Sequence, residues 1–95
     1  MHVANIRPTK QWTKLEDLIT SVIGETATLK DNAIYKIQNN GGGDAYIISQ
    51  ENEPTANSGM GFKLFPAQCY AYKKSANVCF IRCNDACNLH VEEVE

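Results

Sequence analysis

Val78-Cys79-Phe80-Ile81-Arg82-Cys83-Asn84-Asp85-Ala86-Cys87-Asn88-Leu89-His90-Val91 is the stretch that decides the fold class. Cys79, Ile81 and Cys83 share one parity in its first arm, and Cys87, Leu89 and Val91 share one parity in its second. Side chains alternate between the two faces of a strand, so each arm presents a single apolar row. Residues 78–82 and 88–91, joined through Asn84-Asp85-Ala86, therefore read as a hairpin that turns all six side chains toward one core. His90 and Glu92 then point to the opposite face and to water.

Similar punctuation recurs upstream. Residues 26–29 and 33–38 flank the turn-like Lys30-Asp31-Asn32 and read as a hairpin, with Tyr35 and Ile37 on one face and Ile34, Lys36 and Gln38 on the other. Asn39-Asn40-Gly41-Gly42-Gly43-Asp44 contains an Asn-Gly pair that tolerates positive φ, and with residues 45–49 it predicts a second hairpin. Residues 50–60 are polar and lack a hydrophobic period, which makes them the longest loop. Residues 61–65 and 68–73 read as strands around Pro66-Ala67, and 73–77 supply another turn. Seven or so short strands at this spacing predict an all-β fold, a small β-sandwich or barrel.

The N-terminal part is less regular. Arg7-Pro8 disfavours helix, and residues 1–11 read as an N-terminal arm. From Trp12 the apolar residues Leu15, Leu18, Ile19, Val22 and Ile23 follow at helical spacing, with Thr13 and Glu16 placed for a capping box. The β-branched run from Ile19 to Ile23 and the Gly24 after it argue equally for a strand. One short helix or one more strand both fit.

A chain of 95 residues encloses one core, so residues 1–95 read as a single domain. Nine Lys and Arg against eleven Asp and Glu leave no basic excess, which removes the electrostatic drive for nucleic-acid binding. The apolar runs are too short to span a bilayer and the start lacks a basic-then-apolar signal, so the expectation is synthesis in the cytoplasm with no membrane partner.

Five groups of residues could carry chemistry. Cys79, Cys83 and Cys87 with His90 carry zinc-ligand types, but the gaps between the thiols are three residues instead of the tight two-residue knuckle, and alternation sends His90 away from the thiols. Buried, reduced cysteines acting as small hydrophobes are the expectation, with bridges formed after release into an oxidising exterior as the alternative. A catalytic cysteine needs a base, yet His2 lies in the arm and His90 on the other face. Glu92, Glu93 and Glu95 form a solvated acidic end, and Gly41-Gly42-Gly43 and Gly59-Met60-Gly61 lack the downstream residues of a phosphate or dinucleotide loop. Tyr70 and Tyr72 offer an aromatic platform for a sugar or base, although two same-face tyrosines more often pack against a sheet or subunit. The expectation is no catalytic residue, no cofactor and no metal.

Ala33-Ile34-Tyr35-Lys36-Ile37-Gln38-Asn39-Asn40-Gly41 resembles the Tyr-x-Ile-Gln-Asn strand and turn of small bacteriophage and prophage structural proteins. The elements that follow in those proteins have counterparts in Ala45 to Ser49, in Glu53-Pro54-Thr55, in Gly61-Phe62-Lys63-Leu64-Phe65-Pro66, and in Phe80-Ile81-Arg82 and Leu89-His90-Val91-Glu92-Glu93. The likeness runs from Thr26 to Glu93 in order and departs from the pattern in its cysteines.

What the resemblance implies is a non-enzymatic virion protein of the head, connector or tail, acting as a capsid decoration, head-tail or tail accessory protein. Its partners would be other capsid, connector or tail subunits and further copies of itself, with a closed trimer as the oligomer expected. Tyr70, Tyr72 and Phe80 are the aromatic residues expected on its exposed faces. The alternative is a carbohydrate- or receptor-binding module using Tyr70, Tyr72 and the 50–60 loop. A thiol or metal protein ranks below both. Cys79→Ser should cost about 1–3 kcal/mol, because a hydroxyl replaces a thiol in an apolar site. Urea denaturation measures it, and an unchanged midpoint would place Cys79 outside the core.

Overall fold

Alternating apolar residues build eight strands in a computed structural model that describes residues 3–52, 54, 61–84 and 87–94. The strands are β1 (Val3–Ile6), β2 (Thr13–Lys14), β3 (Ile34–Asn39), β4 (Ala45–Gln50), β5 (Phe62–Leu64), β6 (Cys69–Lys73), β7 (Val78–Cys83) and β8 (Leu89–Val94), and one helix, α1 (Leu15–Ile23), follows β2. They form two four-stranded sheets, one in the order β1-β8-β3-β6 and the other in the order β2-β7-β4-β5. Every pairing is antiparallel. The inward rows of both sheets supply Ile37, Leu89 and Val91 from one side and Ile47, Leu64 and Ile81 from the other, all essentially without exposure. Each such side chain contributes about 1.5–3 kcal/mol of burial. The result is a small all-β sandwich with one short helix.

The strand order has a simple origin. β4 pairs with β5, β3 with β6, β2 with β7 and β1 with β8, which is the ladder of one long hairpin. Rolling that hairpin up adds the contacts β3·β8 and β4·β7 and splits it into two sheets. This is the jelly-roll arrangement of two interlocked Greek keys. Its consequence is that β4 and β5 alone are successive strands of one sheet, joined across residues 51–61.

Three expected hairpins are therefore corrected. Residues 78–82 and 88–91 do form strands with Cys79, Ile81, Cys83, Cys87, Leu89 and Val91 all buried, but β7 and β8 lie in opposite sheets. The chain therefore passes from one sheet to the other between them. The same holds for 33–38 and 45–49, since β3 and β4 also belong to different sheets. Two strands on either side of a sandwich present the same inward parity as two strands of a hairpin. Residues 26–29 are not a strand: side chains satisfy their backbone, with Ala27 N donating to Thr20 Oγ1 at 3.0 Å, Leu29 N to Glu16 Oε2 at 2.9 Å and Lys30 N to the Tyr35 hydroxyl at 2.9 Å.

The arm is also corrected. Residues 3–6 are an edge strand whose Ala4 and Ile6 enter the core. Residues 12–23 resolve into β2 and α1, whose Leu15, Leu18 and Ile19 pack toward β1, β2 and β7. Gly24, at φ 80°, ends the helix by donating its N–H to Thr20 O, a left-handed cap that glycine adopts without penalty. The capping box does not form. Lys14 is the N-cap, Thr13 Oγ1 donates to Gln11 O, and Glu16 is taken up by Leu29 N.

Asn39 ties the arches together. It is fully buried at the end of β3, and its Nδ2 donates to Gly43 O at 2.8 Å and Leu64 O at 2.9 Å, while its Oδ1 accepts from Gly41 N at 3.0 Å. Its backbone N–H donates to Gln68 O, and its carbonyl accepts from Ala67 N at 2.7 Å. Gly41 brings this loop against the β7–β8 arch, where a Cβ would stand 2.6 Å from Asn88 N. Replacing Asn39 by Ala orphans two carbonyls and an N–H, a loss of roughly 3–5 kcal/mol. Asn39→Asp should be at least as damaging at neutral pH, because a carboxylate cannot donate to Gly43 O and Leu64 O. Urea denaturation of both variants checks this, and a loss below about 1 kcal/mol in either would contradict it.

Candidate functional site

The thiols come first because they are the most reactive groups in the chain. Cys79 and Cys83 point inward from β7 and Cys87 lies two residues before β8, all buried, whereas Cys69 is exposed on the outward row of β6. Cys83 Sγ donates to Pro8 O at 3.1 Å, and the Cys87 thiol is hydrogen-bonded to the Cys83 sulfur. That hydrogen bond, and after it burial, raises the Cys87 thiol above its ordinary range. Burial pushes Cys79 up to about 12. These shifts favour the neutral thiol, the opposite of what a nucleophile or metal ligand requires.

His90 lies on the outward row of β8, where its Nδ1 is 3.0 Å from Asn5 Oδ1, so the structure keeps it apart from Cys79, Cys83 and Cys87. No group of three or more His, Cys, Asp or Glu gathers to hold a metal among the described residues. Glu92 is exposed, while Glu93 turns inward at the end of its sheet and meets Lys30 Nζ at 3.4 Å. His2, Glu95 and the Gly59-Met60 pair lie outside the described residues. Gly61 serves packing, because at φ 96° its missing Cβ would stand 2.6 Å from Ile47 O.

The aromatic platform is corrected. Tyr72 and Phe80 are buried, and Tyr70 is half-buried, packed against the core. Tyr72 belongs to the inward row of β6, and its hydroxyl donates to Asn77 O at 2.9 Å. Phe80 does lie on the outward row of β7, but it is covered there. Among the described large apolar residues, the exposed ones are Val3, Val22, Ile34, Phe62, Phe65 and Val94. Phe62 and Tyr70 come from the edge strands β5 and β6 of the two sheets and meet as a tilted pair, 5.1 Å between centroids, at that edge of the sandwich.

The two outer faces differ in kind. On the β2-β7-β4-β5 sheet, Arg82, Tyr46 and Lys63 are directly cross-strand, and cations alternate with rings across the face. The Arg82 guanidinium lies 5.7 Å from the Trp12 ring and 5.0 Å from Tyr46, and Lys63 Nζ lies 6.0 Å from Tyr46 and 5.1 Å from Phe65. Arg82 is buried, with Nε donating to Lys10 O at 3.3 Å and a terminal nitrogen to Asn84 Oδ1 at 2.6 Å. The rings are engaged by cations, so this ladder stiffens the face. Single-sequence reading missed it, and the only signal was the shared outward parity of Tyr46, Lys63 and Arg82.

The outer face of the β1-β8-β3-β6 sheet is open. Val3 and Asn5, Glu92 and Val94, Ile34 and Lys36, and Cys69, Ala71 and Lys73 are exposed on it, with His90 and Gln38 half-exposed. This is a broad surface of mixed apolar, polar and charged side chains. Between α1 and β1, Asn5, Arg7, Leu18, Ser21, Val22 and Asn88 line a groove of about 400 Å³ that brings one cation and no thiol or carboxylate.

Comparison of the chain with protein-family models, with curated proteins and with solved structures finds no match.

The raised thiol sets a pH dependence. Cys79 ionises near 9.0 when unfolded and near 12 when folded, so its stabilising contribution is whole below pH 9 and is lost as pH rises toward 12. Tyr70 and Tyr72, raised chiefly by burial, act in the same direction. Stability should fall by a few kcal/mol over that window, and more gently in Cys79→Ala. Urea midpoints measured between pH 8 and 11 read both slopes, and parallel slopes would remove Cys79 from the account.

Proposed function

We propose that this protein is a structural component of a bacteriophage particle, made in the host cytoplasm and built into the virion through contacts with capsid, connector or tail subunits and with copies of itself. The observation that carries the reading is the jelly-roll strand order, an architecture that recurs in viral capsid domains and in lectins. Architecture alone licenses an analogy, and the site must supply the rest. Here Cys79 and Cys87 are buried and held neutral, and the outer face of the β1-β8-β3-β6 sheet is an open, mixed surface. A particle component works through such surfaces, by symmetric packing and without chemistry. The order of elements from Thr26 to Glu93 supports the same reading.

The second reading, a carbohydrate- or receptor-binding module, shares the architecture. It is favoured by Phe65, exposed beside Lys63, which also pairs with Asp44 at 3.5 Å. An aromatic face flanked by charged groups is the usual equipment for a sugar. Tyr70 and Tyr72 no longer support it, because burial withdraws them.

A proteomic census of purified particles with copy number separates the two. The particle reading expects a fixed, repeated copy number that survives washing. Absence from particles together with glycan-array binding abolished by Phe65→Ala would replace it with the second reading.

A further inference from the structure

We propose that the open face of the β1-β8-β3-β6 sheet is a two-fold interface between two copies of this chain. The claim goes beyond the particle reading and stands or falls without it. It also replaces the expected trimer, whose aromatic contacts Tyr72 and Phe80 are buried within the single chain.

The strand registers arrange the outward side chains of this sheet in three rows. One row runs Asn5, His90, Gln38, Cys69 from β1 through β8 and β3 to β6. The next runs Val3, Glu92, Lys36, Ala71. The third holds Val94, Ile34 and Lys73 on β8, β3 and β6. Val3, Ile34 and Val94 are 50%, 41% and 44% exposed, half of the described large apolar side chains left in water.

The face is self-complementary. A two-fold axis lying in the interface, parallel to the strands and midway between β8 and β3, exchanges the two central strands. It places Lys36 of one copy over Glu92 of the other, and Glu92 over Lys36. In the same operation Val94 meets Ile34, His90 meets Gln38, and Val3 meets Ala71. Charge falls on opposite charge, apolar on apolar and polar on polar in each central pair. An isologous contact requires this of a single patch, and here the register supplies it, because Lys36–Glu92, Ile34–Val94 and Gln38–His90 are also neighbours across β3 and β8 within one sheet.

Size sets the strength. Four strands at ~4.8 Å spacing and three rows of side chains make a face roughly 15–20 Å on a side. Covering both copies removes on the order of 1,000 Å² from water, at the lower limit for a specific contact. Twisted sheets pack at about −30°, so the central rows match best and the outer strands contribute less. The dimer should therefore be micromolar. A second copy is the occupant these rows fit, with Lys36 and Glu92 at the centre of the face open to their opposites on an identical chain.

Charge reversal tests this directly. Lys36→Glu leaves two glutamates at the centre of the face, and Glu92→Lys leaves two lysines. Sedimentation equilibrium should show the wild-type chain as a micromolar dimer and each variant weakened at least about ten-fold. An equimolar mixture of the two variants should recover the dimer, because every central contact then joins opposite charges. A purely intramolecular role for the Lys36–Glu92 pair cannot produce that recovery. A wild-type monomer at about 1 mM, variants that dimerise like wild type, or a mixture that stays monomeric would each overturn the proposal. Circular dichroism monitors the fold, and if either charge variant loses its β spectrum, Ile34→Lys asks the same question at the neighbouring row.

Discussion

The carboxamide of Asn39 is the interaction on which the arrangement of strands depends. An arch that carries the chain from one sheet to the other must leave the ladder at both ends, and its backbone groups then have no strand partner. Asn39 answers three of them with one buried side chain, two carbonyls on its Nδ2 and an N–H on its Oδ1. These contacts hold the β3–β4 arch against β5, and its backbone bonds hold the β5–β6 turn. Three segments distant in sequence are fixed at one point, and the rolled hairpin cannot slip there without exposing unpaired polar groups to the core.

The other connections are held by similar local means. Glu16 and Thr20 on α1 satisfy the extended segment that follows the helix, and the Tyr35 hydroxyl takes the next N–H. Cys83 binds the chain before β2 twice, through its thiol to Pro8 O and its N–H to Thr9 O at 2.9 Å. The buried thiols are thus part of the packing. Cys79 fills the core, where burial keeps its thiol neutral, and Cys83 tethers a loop.

Much of this was legible in the sequence, and the limit has a definite physical cause. Period-two alternation identified strands 33–38, 45–49, 68–73 and 78–82 and turned Cys79, Ile81 and Cys83 inward, because burial of alternate side chains is a property of one strand, but it set Tyr70 and Tyr72 on an exposed face when both belong to the inward row of β6. Pairing is a property of two strands. Asn39-Asn40-Gly41 looks the same as a hairpin turn and as the start of an arch, and the buried role of Asn39 depends on Leu64, 25 positions away. Val3-Ala4-Asn5-Ile6 is too short and too mixed to announce an edge strand, yet pairing with β8 makes it one. The β-branched run from Ile19 to Ile23 stays helical because Leu15, Leu18 and Ile19 are buried and Gly24 caps the end, contacts that local propensity does not contain. Outward parity likewise located Phe80 correctly but not its cover. The open face was present in the sequence as the residues between the inward ones, and its mirror symmetry emerged only with the register.

The arches, the buried thiols and the open face all follow from the rolled-hairpin order of strand pairing. Cross-strand nuclear Overhauser contacts in isotope-labelled protein measure that order residue by residue. The jelly roll predicts contacts from Tyr46 to both Arg82 and Lys63, and from Gln38 to both His90 and Cys69. A continuous antiparallel ladder joining residues 78–83 directly to 89–94, in place of those contacts, would contradict it.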